Sequence, residues 1–152
     1  MPLIRLIYAS QLTEKCNLKT LQKILESSRK NNAKDKISGI LCYDPSYFMQ
    51  WLEGPREKVN RLYHTILNDD RHENVQILEY CEISSRSFES WSMAYVSTND
   101  VNQRILFKYS SGEIFNPFAM HGESARHFLL EMAGERKAFL DQMISQIKKS
   151  ED

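Results

Sequence analysis

Cysteine is scarce and unpaired in this chain. Cys16, Cys42 and Cys81 are odd in number and far apart along 152 residues, which excludes a disulfide framework and a close metal-ligand pair. Reduced thiols of a cytosolic protein fit that usage. Glycine is also sparse: Gly39, Gly54, Gly112, Gly122 and Gly134 form no phosphate-cradling loop, so a bound nucleotide would have to be held by other means. Twenty basic residues balance twenty acidic ones, so no broad field draws nucleic acid or anionic lipid to the surface. The stretch MPLIRLIYASQ places a charge inside a short apolar run, without the length or cleavage site of a signal peptide, and no run approaches a membrane span. His64, His72, His121 and His127 show no ligand spacing, and the serines lack the setting of a nucleophile elbow. A hydrolase or metalloenzyme is therefore not expected.

What is present suits one globular core with a short extension: 41% apolar and 26% charged residues. Residues 3–10, LIRLIYAS, read as a strand. Leu18, Leu21, Ile24, Leu25 and Ser28 then recur at helical spacing behind a candidate N-cap, Asn17, and the pair Asn31-Asn32 falls near the expected helix end. ISGILCYD and YFMQWLEG flank Asp44-Pro45-Ser46 as a hairpin. After Gly54-Pro55, Val59, Leu62, Tyr63, Ile66 and Leu67 mark a second helix. Strands follow at 75–83 and 91–97, a short helix near 101–109, a loop through Pro117, and helical sequence at about 123–148 that Gly134 interrupts or divides. The order β-α-β-β-α-β-β predicts an α+β, ferredoxin-like sheet with two helices on one face.

Strand alternation in FMQWLEG sends Phe48, Gln50 and Leu52 to one face and Met49, Trp51 and Glu53 to the other. Met49 and Trp51 then need cover that the first two helices cannot supply, so the C-terminal helices or another subunit must supply it. Gln50 raises a different question. A buried amide must find partners for two donors and an acceptor, and an unpaired group costs about 1–3 kcal/mol.

Tyr8, Asn32 and Gln50 each have an ordinary explanation when taken singly: a packed ring, a helix cap, an edge residue facing water. In a ferredoxin-like sheet, however, the first and third strands are central neighbours, so Tyr8 and Gln50 come within reach of each other beside a groove bordered by Asn32. The donor and acceptor of an amide match the carbonyl and imide edge of a heterocycle.

Five segments carry a family resemblance: RLIYAS with Tyr8 and Ser10; NNAKDKISGIL with Asn32, Ile37 and Gly39; FMQWLEG with Gln50; ILNDDRH with Asp69, Arg71 and His72; and FESWSM with Trp91 and Met93. Together, over residues 3 to about 98, the chain resembles BLUF domains, blue-light sensors using flavin, and especially the short BLUF proteins without an effector domain. The resemblance implies a flavin between the two helices, FAD first, with FMN and riboflavin as alternatives. It implies that Asn32 holds the pyrimidine edge, that Arg71 contacts the flavin, and that Asn31 and Asp69 neighbour it. Ile24, Ser28 and Ile66 fall on inward helical faces and would line the slot.

The resemblance further implies that light drives electron donation from Tyr8, coupled to proton movement through Gln50, leaving Gln50 rearranged. Family members differ over whether Trp91 or Met93 approaches Gln50, so both are candidate modulators. The expectation is a cytoplasmic photoreceptor without substrate turnover. Residues 1–98 would bind flavin, and 99–152 would cover the other sheet face or mediate assembly. Signalling would reach a downstream protein or change a homo-oligomer, with neither nucleic acid nor membrane as partner. The rival is a light-insensitive ferredoxin-like interaction module.

Overall fold

The computed structural model describes residues 2–89, 93–97, 103–110 and 114–151. Five strands, β1 (Leu3–Leu12), β2 (Ser38–Tyr43), β3 (Tyr47–Pro55), β4 (His72–Ile83) and β5 (Ala94–Ser97), form one sheet in the order β4-β1-β3-β2-β5. All described neighbours pair antiparallel except β2 and β5, which are parallel. Helices α1 (Leu18–Lys34) and α2 (Arg56–Leu67) join these strands, and α3 (Gln103–Tyr109) and α4 (Gly122–Glu151) follow them. The ferredoxin-like arrangement expected from the element order is the fold adopted.

Alternation along β3 divides the apolar residues between two cores. Phe48 and Leu52 join Ile4, Leu6, Tyr8 and Leu41 beneath Leu21 and Leu25 of α1 and Val59 of α2. Met49 and Trp51 join Ile7 and Ile40 on the opposite face, where Ile105 and Leu106 of α3 and Ala125, Phe128, Leu129 and Met132 of α4 cover them. The cover demanded by Met49 and Trp51 therefore comes from within the chain. Gly39 permits the close pairing beneath it: a Cβ there would lie 1.8 Å from the Trp51 carbonyl oxygen, at a φ of +155°.

Local chemistry explains the ends of these elements. Asn17 caps α1, its side-chain oxygen accepting from Thr20 N at 2.8 Å. In the hairpin, Asp44 Oδ1 accepts from the backbone of Ser46 and Tyr47, at 2.7 Å each. The far end of α1 departs from expectation only in its closure. Asn31-Asn32 falls near the end as expected but is not the cap: the helix runs to Lys34 and closes through Lys36 N to Ala33 O at 3.3 Å and Ile37 N to Asn32 O at 2.8 Å. That is a Schellman closure with Lys36, at φ 58°, where glycine is usual. Asn32 thus spends its backbone carbonyl on the cap and keeps its side chain for the interior.

Gly134 does not divide the last helix: α4 continues through it, and its Cβ position has no neighbour within 4 Å. A glycine costs a helix about 1 kcal/mol relative to alanine, which a helix anchored along one face withstands. Strand β4 also begins at His72, earlier than the expected 75. Truncation ahead of α4 is expected to strip the cover from Met49 and Trp51, lowering solubility or changing assembly in size-exclusion chromatography. A truncated chain with unaltered solubility and mass would contradict that role for α4.

Candidate functional site

The central pairing of the sheet builds the site. Tyr8 lies directly opposite Gln50 in the β1–β3 register, and both side chains point toward α1 and α2. Tyr8 Oη donates to Gln50 Oε1 at 2.5 Å. Burial, with smaller contributions from Tyr63 and Asp69, holds the Tyr8 phenol well above its ordinary pKa, so it stays a neutral donor. Gln50 Nε2 donates to Met93 Sδ at 3.5 Å. A thioether is a weak acceptor and takes only one of the two amide hydrogens. Gln50 therefore sits between a strong partner and a weak one.

Around this pair lies a cleft of about 250 Å³ between the two helices. Ile24, Ser28, Asn31 and Asn32 of α1 line it with Ile66 of α2, and Asp69 and Arg71 beyond α2 complete the set expected from the sequence. Met93 is buried beside the cleft through its contact with Gln50. Trp91 lies outside the described residues. Asn32 is 2% exposed, yet its Nδ2 has no hydrogen-bond partner. An orphaned buried amide in a cleft is a donor placed for a polar ligand.

At the cleft's edge Arg71 and Asp69 form a two-point pair, with Nε to Oδ1 at 2.8 Å and Nη2 to Oδ2 at 2.5 Å. Hydrogen bonding from Arg71 holds the Asp69 carboxyl below its ordinary pKa despite partial burial, and the same pairing raises Arg71. The mouth therefore carries a fixed guanidinium whose charge is already balanced within the protein.

His72 is one of several lining residues to which sequence reasoning gave no site role, with Lys23, Ser27 and Thr65. Its Nε2 lies 2.6 Å from the Ile66 carbonyl and its Nδ1 2.8 Å from Ser10 Oγ. A carbonyl oxygen only accepts, so Nε2 carries the proton, and in the neutral ring Nδ1 accepts from Ser10. The ring meets Tyr8 edge-on at 6.5 Å and Phe48 at 6.4 Å. His72 thereby ties the end of α2 to β1 beside the Tyr8–Gln50 pair. It stood in the motif ILNDDRH, but no spacing with another residue pointed to its partners.

The Asn32 amide, the Gln50 amide and the apolar walls of Ile24 and Ile66 fit a planar heterocycle such as the flavin ring. Asn32 and Gln50 would hold its polar edge, and Arg71 would stand at its exposed end. Among the described residues no cluster could hold a metal ion.

Comparison with known proteins gives the same direction. The family model for BLUF, described as sensors of blue-light using FAD, matches residues 3–94. The blue light- and temperature-regulated antirepressor BluF of Escherichia coli (strain K12) is 27% identical over 141 residues, covering 83% of this chain but 35% of that protein. Photoactivated adenylate cyclase subunit beta of Euglena gracilis is 33% identical over 92 residues, 60% of this chain and 11% of the cyclase subunit. The solved structure of BlsA in its photo-activated state superposes with a TM-score of 0.75 at 39% identity, covering 85% of this chain and 93% of BlsA.

Proposed function

Since this chain belongs to the BLUF family, sensors of blue-light using FAD, we propose that it is a blue-light photoreceptor in which Gln50 exchanges hydrogen-bond partners and the change is passed to another protein. The observation that carries the reading is the Tyr8–Gln50–Met93 contact beside the unpaired Asn32 amide. When bound, the flavin supplies light absorption and an electron-accepting ring. The protein supplies the rest. Asn32 orients the polar edge of the ring, and Ile24, Ser28, Asn31 and Ile66 exclude water around it. Asp69 keeps Arg71 extended at the mouth. Tyr8 holds its proton on Oη, where Gln50 Oε1 is the first acceptor in reach.

No substrate turnover is involved. The region shared with the photoactivated cyclase subunit is a small part of that protein, so the similarity lies in the sensor. A light-insensitive interaction module does not fit a member of this family. Among the described residues no helix is long and apolar enough to cross a membrane. The three free thiols support a cytoplasmic location in this reading.

Exchange of one or two buried hydrogen bonds is worth about 1–3 kcal/mol, whereas taking a population from 1:99 to 99:1 needs about 5.5 kcal/mol. The signal must therefore bias an element already near balance. We assign that role to β5, the short edge strand next to Met93, with residues 99–152 carrying the bias to a partner protein or a second copy. Residues 1–98 form the flavin-binding unit in this reading.

Purification should yield a yellow protein whose flavin absorption shifts reversibly to the red under blue light. A colourless chain that rejects added FAD would overturn the proposal. Asn32→Ala is expected to weaken flavin retention about tenfold or more, since the ring groups it pairs lose a buried partner. Unaltered affinity in a flavin titration would remove Asn32 from the binding set.

A further inference from the structure

Two stretches that follow β4, residues 84–89 and 93–97, are held in very different ways. The first hold is buried. The Glu53 carboxylate, fully enclosed, accepts from Phe88 N at 2.6 Å, Ser87 N at 3.1 Å, Ser38 Oγ at 3.2 Å and Trp51 Nε1 at 3.2 Å. Arg86 adds bonds to Lys36 O at 2.6 Å and Ser38 Oγ at 2.8 Å. A carboxylate with that many donors is costly to release, so this stretch is a permanent anchor.

The second hold is at the surface. Arg29, an exposed residue at the flank of α1's buried stripe, donates Nε to the Met93 carbonyl at 3.0 Å, and its guanidinium carbon lies 4.5 Å from the centre of the Tyr95 ring. A planar guanidinium can bond a carbonyl at its edge while its face rests on an aromatic ring, a combination a lysine ammonium cannot make. These two contacts fall on either side of Ala94, where β5 begins. The strand itself has four residues and, among the described residues, pairs with β2 alone and forms the sheet edge. The same Met93 whose backbone Arg29 holds places its sulfur against Gln50.

We propose that Arg29 is a positioning residue, a releasable latch that holds the Met93–Tyr95 start of β5 in register and thereby sets the lifetime of the light signal. This rests on the photoreceptor reading above. Opening the latch lets Met93 leave Gln50, and re-forming it accompanies the return to the dark arrangement. Surface contacts of this strength move a local equilibrium by a factor of about ten.

The test compares the flavin-loaded full chain with its Arg29→Ala and Arg29→Lys variants. Two quantities are read: hydrogen exchange in the dark over residues 93–97, with 3–12 and 47–55 as internal controls, and the thermal recovery time of the flavin spectrum after blue light. Both variants are expected to retain flavin, to exchange about tenfold faster at 93–97 alone, and to recover about threefold or more slowly than wild type. Unchanged exchange at 93–97, faster exchange across all three strands, or local loosening with an unchanged recovery time would each overturn the latch. So would an Arg29→Lys variant that matches wild type in both quantities, since charge alone would then suffice. A wild-type protein without a light-induced shift would defeat the photoreceptor reading instead, while the dark exchange data still decide whether Arg29 holds β5.

Discussion

Replacing Gln50 with leucine is expected to leave the protein folded and yellow while erasing the reversible red shift. Gln50 is 6% exposed, with Tyr8 opposite it on β1 and Leu41 on β2, so a side chain of similar bulk fits the space. What disappears is the amide. Tyr8 Oη loses its acceptor, which lowers stability in denaturant by about 1–3 kcal/mol, and Met93 Sδ loses its donor. Asn32, Arg71 and the apolar walls remain, so flavin retention falls less than in Asn32→Ala. A Gln50→Leu protein that binds flavin and still shifts reversibly as wild type does would make Gln50 a packed strand residue.

Tyr8→Phe is expected to be as severe for the photocycle by a different route. It deletes one oxygen and preserves the ring that packs at 6.2 Å from Tyr63 and 6.5 Å from His72. The fold should survive with a loss of about 1–3 kcal/mol, the cost of leaving Gln50 Oε1 without its donor. The proton itself matters more. Burial keeps it on Oη in the resting protein, so the substitution removes the group from which a proton can pass to Gln50. Wild-type formation and recovery of the red-shifted form in Tyr8→Phe, measured by time-resolved absorption, would exclude that role for the phenol.

The two halves of the site differed in how readily the sequence revealed them. Alternation in FMQWLEG placed Gln50 on the face opposite Trp51 without reference to any relative, because a buried strand enforces a period of two. Helical spacing likewise placed Ile24, Ser28 and Ile66 on inward faces, and the cleft they line is where the structure has it. The end of α1 was harder. Asn31-Asn32 resembled a cap, while the true closure relies on Lys36 in a left-handed conformation that no side-chain preference announces. Gly134 misled for the complementary reason: anchoring of α4 through Phe128, Leu129 and Met132 outweighs a local penalty.

Of the long-range polar contacts only Tyr8–Gln50, 42 residues apart, was legible, because the expected sheet order makes its two strands neighbours. Arg29 and Met93 are 64 residues apart, and His72 and Ser10 are 62 apart. Nothing in their local sequence encodes the pairing; the sheet order brings them together. The family resemblance supplied which residues to watch, whereas the folded chain revealed the weak Gln50–Met93 contact and the unpaired Asn32 amide.

Gln50 rearrangement is tested most directly by a light-minus-dark infrared difference spectrum of protein carrying isotope-labelled glutamine side chains. A band that moves with the label, reverses in the dark and vanishes in Gln50→Leu is the predicted result. A wild-type protein with a reversible flavin shift but no glutamine-sensitive band would contradict it, because light would then be sensed without any change at Gln50.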